Sequence, residues 1–299
     1  MRYRTTAGAH RLYDDVAEAS ADLVIRRYSS SFGLASRLLA GRERREIRNV
    51  YALARLADEI VDAPRPGHDP ARLRSALDQL EAETVAALGT GTSTNLLVHA
   101  FARTARRVGI DASLTGPFFA SMRTDLDHSV HDEQSLAAYI YGSAEVVGLM
   151  CLRVFVADLP GRDARYEALG DGARRLGAAF QKVNFLRDLG VDDGELGRRY
   201  LTGLDPRAPS AAAWRAWLDE IDADLAAAAA MIPELPRQSR VAVCVAHDLF
   251  ADLSARLRRT PPEVAVTRRV RVPAPAKMRI AVAAVRRRGR PGTVDAVTR

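Results

Sequence analysis

The 299-residue chain holds only 2 cysteines, and aromatic residues make up just 6% of it. Cys151 and Cys244 lie in apolar surroundings, Leu149-Met150-Cys151-Leu152 and Val243-Cys244-Val245, with no CxxC or Cys/His ligand spacing. That pattern excludes a disulfide scaffold and reads both as core thiols of a reducing compartment. A Gly-rich phosphate loop is missing, which argues against a nucleotide site, and so is any NADPH fingerprint. His128-Ser129-Val130-His131 lacks the glutamate and the spacing of a zinc-peptidase helix, so both histidines read as ordinary polar groups. Long hydrophobic runs are lacking too. The longest, Val146 to Val156, is interrupted by Arg153 and falls far short of the roughly 20 residues that span a bilayer. The opening Met1-Arg2-Tyr3-Arg4 leads into charged sequence instead of the apolar stretch of a secretory signal, so a cytoplasmic location is expected.

Acid is scarce in one place. From Arg268 onward there are ten basic residues against the single acid Asp295, a net +9, which leaves residues 1–267 at −2 within a total of +7. Such a segment suits an anionic lipid surface, nucleic acid or plain solubility. Without interleaved aromatics or a nucleic-acid motif, a nucleic-acid partner is not expected. Peripheral membrane association through the basic tail is the alternative.

What is present is helix-forming sequence. Hydrophobic residues make up 47% of the chain, enough for a sizeable core. Apolar positions recur in steps of three and four, as in Leu73, Leu77, Leu80 and Trp217, Ile221, Leu225. Breaks are expected at Ala63 to Pro70, Gly89 to Thr92, Gly109 to Pro117, Leu159 to Gly161, Gly203 to Pro209 and Pro233 to Pro236. The simplest organisation is one all-α domain over 1–267, followed by a basic segment, 268–299, that is partly helical or disordered. Trp214 and Trp217 read as packing residues.

Two helical segments carry polar stripes. At about 100° per residue, Tyr51, Arg55, Asp58 and Asp62 fall within roughly 60° of one another, while Val50, Leu53, Leu56, Ile60 and Val61 occupy the other faces. A DxxxD spacing alone suits a solvated face. The second stripe changes the reading: Gln181, Asn184, Asp188 and Asp192 share a face within roughly 80° and again end in an acidic pair one turn apart. Like charges at that spacing repel, strongly so when desolvated, and a divalent cation removes the repulsion. Mg²⁺, typically held by one or two carboxylates plus substrate phosphates, fits such a donor set, and Mn²⁺ is the alternative. Two facing stripes, with Arg55 and Arg187 beside them, would suit the ionisation of an allylic diphosphate.

These blocks resemble the squalene/phytoene synthase family of head-to-head prenyl transferases. The likeness runs through Tyr28-Ser29-Ser30-Ser31-Phe32, Tyr51 to Asp62, Met122 to Leu126, Tyr139 to Met150, Gln181 to Asp192 and Gly197 to Leu201, in family order. It implies an isoprenoid-synthase helical bundle around a central cavity. Asp58, Asp62, Asp188 and Asp192 would hold the metal. Ser29, Ser31, Tyr51, Arg55, Gln181, Asn184, Arg187 and Arg198 would contact or orient the diphosphates. Phe32 would wall the apolar side, and Tyr139 would lie near the reacting carbons unless it is simply a core tyrosine. The implied reaction condenses two allylic prenyl diphosphates through a cyclopropylcarbinyl diphosphate. Geranylgeranyl diphosphate giving phytoene, a carotenoid precursor, is the first choice. The alternatives are farnesyl diphosphate giving squalene or dehydrosqualene, and a catalytically silent lipid-binding member. Three departures stand out: Glu145 where the family often has glycine, a longer loop after Asp192, and no tyrosine near His247 to Leu253. Arg269 resembles a late family arginine.

Overall fold

The computed structural model describes residues 6–62, 69–127, 130–191 and 198–288. Among these, thirteen α-helices follow one another with no strand, only an isolated bridge between Val130 and Arg199. They are α1 (Thr6–Tyr28), α2 (Ser31–Ser36), α3 (Gly41–Asp62), α4 (Pro70–Thr90), α5 (Leu96–Val108), α6 (Ala112–Asp127), α7 (Glu133–Ile140), α8 (Val146–Val156), α9 (Arg162–Val191), α10 (Ala211–Met231), α11 (Arg237–Arg259), α12 (Pro262–Ala265) and α13 (Ala274–Arg288).

Capping chemistry sets several boundaries. Asp69 accepts from the Ala71 amide ahead of Pro70, and Asn95 accepts from Leu97 and Val98, so the first orphan amides of α4 and α5 are satisfied. Gly91 and Gly109, at φ 83° and 82°, close those helices in the left-handed conformation that glycine adopts without strain. One expected break is narrower than the sequence suggests. Helix resumes at Ala112, so Pro117 lies inside α6. Its missing amide costs one intrahelical bond, but the turn packs hard on its neighbour: a Cβ on Gly142 would lie 2.2 Å from the Pro117 carbonyl oxygen and 2.0 Å from Ser121 Oγ. Gly142 belongs to a π-helical turn, Tyr141–Glu145, that joins α7 to α8. The whole run Glu133–Val156 has the length and apolarity to cross a bilayer, yet 56% of its most apolar window is buried inside the bundle.

Two large cores form. One gathers Ile47, Val50, Leu53, Leu77, Phe101, Phe119 and Val146 from α3 to α6 and α8. The other gathers Val183, Leu186, Trp214, Leu218, Ile221, Val245 and Leu249 from α9 to α11. Val272, Ala276, Ala281 and Ala284 belong to this second core, so the described part of the basic segment packs as part of the bundle, and position 267/268 is no break in it. Trp214 and Trp217 are buried and donate to the Leu257 and Thr202 carbonyls. Both cysteines are half-buried.

Candidate active site

Between the two cores lies a cavity of about 990 Å³. The stripe on α3 turns inward: Tyr51, Arg55, Asp58 and Asp62 all line the chamber, and from α9 so do Gln181, Asn184, Arg187 and Asp188. Ser29, Ser31 and Phe32 at the start of α2, Tyr139 from α7, and Arg198 complete the residues singled out in the sequence that reach it. Asp192 and the loop that follows it lie outside the described residues. The helical period therefore places two charged stripes on opposite walls of one space, because the other faces of α3 and α9 are apolar and buried in different cores.

On the α3 wall one of the two acids, Asp58, is short of counter-charge. Burial and the neighbouring Asp62 push the Asp58 carboxyl up to about 7, against the pull of Arg55. Its side chain is surrounded by protein yet keeps 39% of its exposure, through the cavity. Arg55 leans towards Glu59, with Nη2 2.6 Å from Oε2 and only a long 3.9 Å approach to Asp58. It lies over the Tyr28 ring at 4.4 Å, and its Nε has no hydrogen-bond partner among the described residues. Opposite, Asp188 is gripped by Arg187, with Nε 2.9 Å from Oδ1, and by Arg269, also 2.9 Å from Oδ1. Among the described residues no three acidic, histidine or cysteine groups converge closely enough to hold a metal alone. The donor set fits a cation that arrives with phosphate oxygens and takes one or two carboxylates from the protein. The observation that favours it is Asp58, which has no close cation of its own and is repelled by the neighbouring Asp62.

Behind the acid pair sits a buried polar cluster. Tyr139 and Tyr200 donate their hydroxyls to the two oxygens of Asp125, at 2.8 and 2.7 Å. Arg198 donates to Asp62 Oδ1 at 2.6 Å and to the Val61 carbonyl at 2.8 Å, and stands 3.8 Å from Asp125. Burial lifts the Asp125 carboxyl to about 6, although Arg198 and the two tyrosines pull it down. The same burial, with the Asp125 charge, holds Tyr139 and Tyr200 well above the usual phenol range. Burial alone would weaken the Arg198 cation, but Asp125, Tyr200 and Asp62 outweigh it and keep it charged. Aromatic rings pack around this cluster: Phe185 stacks on Tyr200 at 4.3 Å, and His131 stands 5.2 Å from Tyr139.

Several lining groups carry roles that the sequence alone does not assign. Asp125 and Tyr200 lie inside family-like blocks whose pattern gives them no part. In the stretch His247 to Leu253, which lacks the expected tyrosine, Phe250 lines the cavity and stacks on Phe180 at 3.8 Å. Glu145 stays off the cavity wall and pairs with Arg174 at 2.7 Å, so its charge is neutralised beside the bundle. The strap after α12 adds Arg269, Val270, Arg271 and Val272, and α13 adds Lys277, whose Nζ donates to Ser30 Oγ at 2.8 Å. Burial and the nearby Arg187 and Arg271 lower the Lys277 pKa.

The squalene/phytoene synthase family profile matches residues 25–276, which contain every described side chain of this site except Lys277. The chain belongs to the squalene/phytoene synthase family. It is 29% identical over 254 residues to the 15-cis-phytoene synthase of Paracoccus sp. (strain N81106 / MBIC 01143), covering 79% of this chain and 80% of that protein. It is 34% identical over 190 residues to phytoene synthase 1, chloroplastic, of Arabidopsis thaliana, covering 63% of this chain and 42% of the plant protein's length. Among solved structures, a dehydrosqualene synthase in complex with ligand superposes with a TM-score of 0.76 at 20% identity, over 92% of this chain and 97% of the other. A squalene synthase from Alicyclobacillus acidocaldarius superposes at 0.69 and 19% identity, over 83% and 95%. At such identities the structures establish the all-α isoprenoid-synthase fold.

Proposed function

We propose that this family member condenses two molecules of geranylgeranyl diphosphate head to head to give phytoene. The observation that carries the reading is the shape of the cavity, charged at one end and apolar along its length. Its lining follows α9 from Asp188 back to Leu169, nineteen residues or about 28 Å of helix. At the reach of an extended chain, about 1.15 Å per bond, four isoprene units span roughly 18 Å and three roughly 14 Å. The longer chain uses the available depth once a diphosphate occupies the charged end.

Bound with the diphosphate, Mg²⁺ or Mn²⁺ at Asp58, Asp62 and Asp188 would neutralise phosphate charge as the leaving group departs. The protein's own groups supply the rest. Arg55, with its free Nε, and Arg187 are placed to grip phosphate oxygens. Ser29, Ser31, Gln181 and Asn184 add neutral hydrogen bonds along the same rim. The allylic cation left behind is captured by the alkene of the second molecule. Proton loss closes a cyclopropylcarbinyl diphosphate; departure of its diphosphate and rearrangement then join the two former diphosphate-bearing carbons, and the resulting allylic cation loses a second proton to give the neutral forty-carbon polyene.

The departing diphosphate is the better proton acceptor. Tyr139 already donates its hydroxyl to Asp125 and is held far above the ordinary phenol range. Its part is to fix a neutral oxygen and a ring face beside the reacting carbons. Faces of Phe32 and Tyr51, stacked at 5.6 Å, can stabilise positive charge by on the order of 1 kcal/mol. The apolar lining excludes the water that would convert a cation to an alcohol.

The experiment is incubation of the purified chain with farnesyl or geranylgeranyl diphosphate and Mg²⁺, with and without NADPH, followed by hydrocarbon mass analysis. A forty-carbon product without NADPH is expected. Exclusive formation of a thirty-carbon product rejects the chain-length assignment, and no hydrocarbon from either substrate rejects the enzyme.

A further inference from the structure

The strap and α13 do more than close the cavity mouth. On α13, Ala276, Ala281 and Ala284 face inward, and the helix packs on α11. The opposite side carries Met278, Val282 and Val285, which fall within about 60° of one another at 100° per residue and stay 60%, 41% and 47% exposed. Exposed Arg279 and Arg286 run along one side of this ridge. No acid occurs between Glu263 and Asp295 in the sequence. The same helix reaches the cavity rim through Lys277, and the strap before it lines the cavity with Val270, Arg271 and Val272.

We infer that the outer face of α13 docks this protein on an anionic lipid bilayer. An apolar ridge with arginines beside it matches a surface with negative head groups above a hydrocarbon interior. A second copy of the chain fits less well, because a two-fold contact through this ridge would bring Arg279 and Arg286 towards their own copies without an acid between them. Nucleic acid would leave the methionine and valines without a partner, since none offers a stacking ring. The position at the cavity rim supplies the reason for docking: under the function proposed above, substrate and product are long hydrocarbon chains that partition into lipid. The inference rests on that reading for its purpose, while its test needs no turnover.

The full-length chain is sedimented with vesicles of phosphatidylcholine alone or with one quarter phosphatidylglycerol, over a range of salt. Binding to the anionic vesicles that weakens with salt is expected, with little binding to the neutral ones. Met278→Asp with Val282→Asp should cut binding at least tenfold, and Arg279→Gln with Arg286→Gln by about 30-fold. All four positions are exposed, so unchanged melting temperatures should accompany both losses. Vesicle binding by these variants equal to that of the parent overturns the inference. So does binding lost only when residues 289–299 are removed, or a concentration-dependent dimer that the substitutions at Met278 and Val282 abolish. Activity on detergent-solubilised substrate separates the two readings: a chain that binds vesicles but makes no hydrocarbon keeps this inference and loses the proposed function.

Discussion

Arg269 reaches across 81 residues of sequence to set Nη2 3.1 Å from Oδ2 of Asp188, while its Nε lies 2.9 Å from Oδ1 of the same carboxylate. Arg187 holds both of those oxygens from the adjacent position. The α9 wall therefore has its negative charge answered by guanidinium, whereas the α3 wall at Asp58 does not. Diphosphate offers the two arginines an alternative partner, and their transfer to phosphate would release Asp188 for a cation.

Removing one arm of that clamp should separate its two effects. Arg269→Gln is expected to raise the KM for the prenyl diphosphate about tenfold, the scale of one lost hydrogen bond to a charged group. The same change is expected to lower the Mg²⁺ concentration needed for half-maximal rate, because Asp188 then competes with one fewer cation. Initial rates over a grid of substrate and Mg²⁺ concentrations measure both. An increase in both quantities would mean that Arg269 does not hold Asp188 back.

Asp58→Asn tests the other wall. Burial and Asp62 already drive Asp58 towards its neutral form, so a neutral amide should leave the melting temperature unchanged or raise it at neutral pH. Turnover should fall by at least 10²-fold if the acid pair carries the cation that stabilises the leaving diphosphate. Thermal denaturation and product formation on the same preparation decide this, and undiminished turnover would remove the acid pair from the reaction.

Helical periodicity makes both stripes legible in the sequence, because a 3.6-residue repeat determines which side chains share a face. It does not say that Asp125, Tyr139, Tyr200 and Arg198 converge. That cluster assembles from α6, α7 and an extended segment far apart in sequence, and such contacts leave no local pattern. Composition also says nothing of how the basic segment packs: counting charges leaves it as partly helical or disordered, whereas Val272, Ala276 and Lys277 are built into the bundle or its cavity. Pro117 misleads for a related reason, since its propensity to break a helix is overridden by packing against Gly142.

The depth of the chamber should decide which chain is accepted. Leu169 is buried at the end remote from Asp188 and lines the cavity. Leu169→Trp adds ring volume there, at an expected stability cost of about 1–3 kcal/mol from overpacking. The kcat/KM for geranylgeranyl diphosphate should drop at least tenfold while that for farnesyl diphosphate changes little. Competition between the two substrates, with products separated by mass, measures the ratio directly. Equal losses for both would show that the chain ends do not reach Leu169.

A last expectation concerns stability away from the cavity. Glu43, in the first turn of α3, is lifted to about 6 by burial first and then by Glu46 and Asp158, with Arg107 opposing. Arg107 is itself taken by Glu46 and Asp158, and Glu43 Oε2 has no hydrogen-bond partner among the described residues. Because the folded state holds this proton more tightly than the unfolded chain, stability must fall as the pH rises from the ordinary carboxyl range through about 6. Above that window the penalty is complete, and below it there is none. Glu43→Gln replaces the carboxylate with a neutral group of the same shape, so it should raise the melting temperature at pH 7.5 by about 2–4 °C and leave it nearly unchanged at pH 4.5. Melting curves of parent and variant across that range test the sign: a gain that is largest at low pH would show that Glu43 is stabilised as the anion.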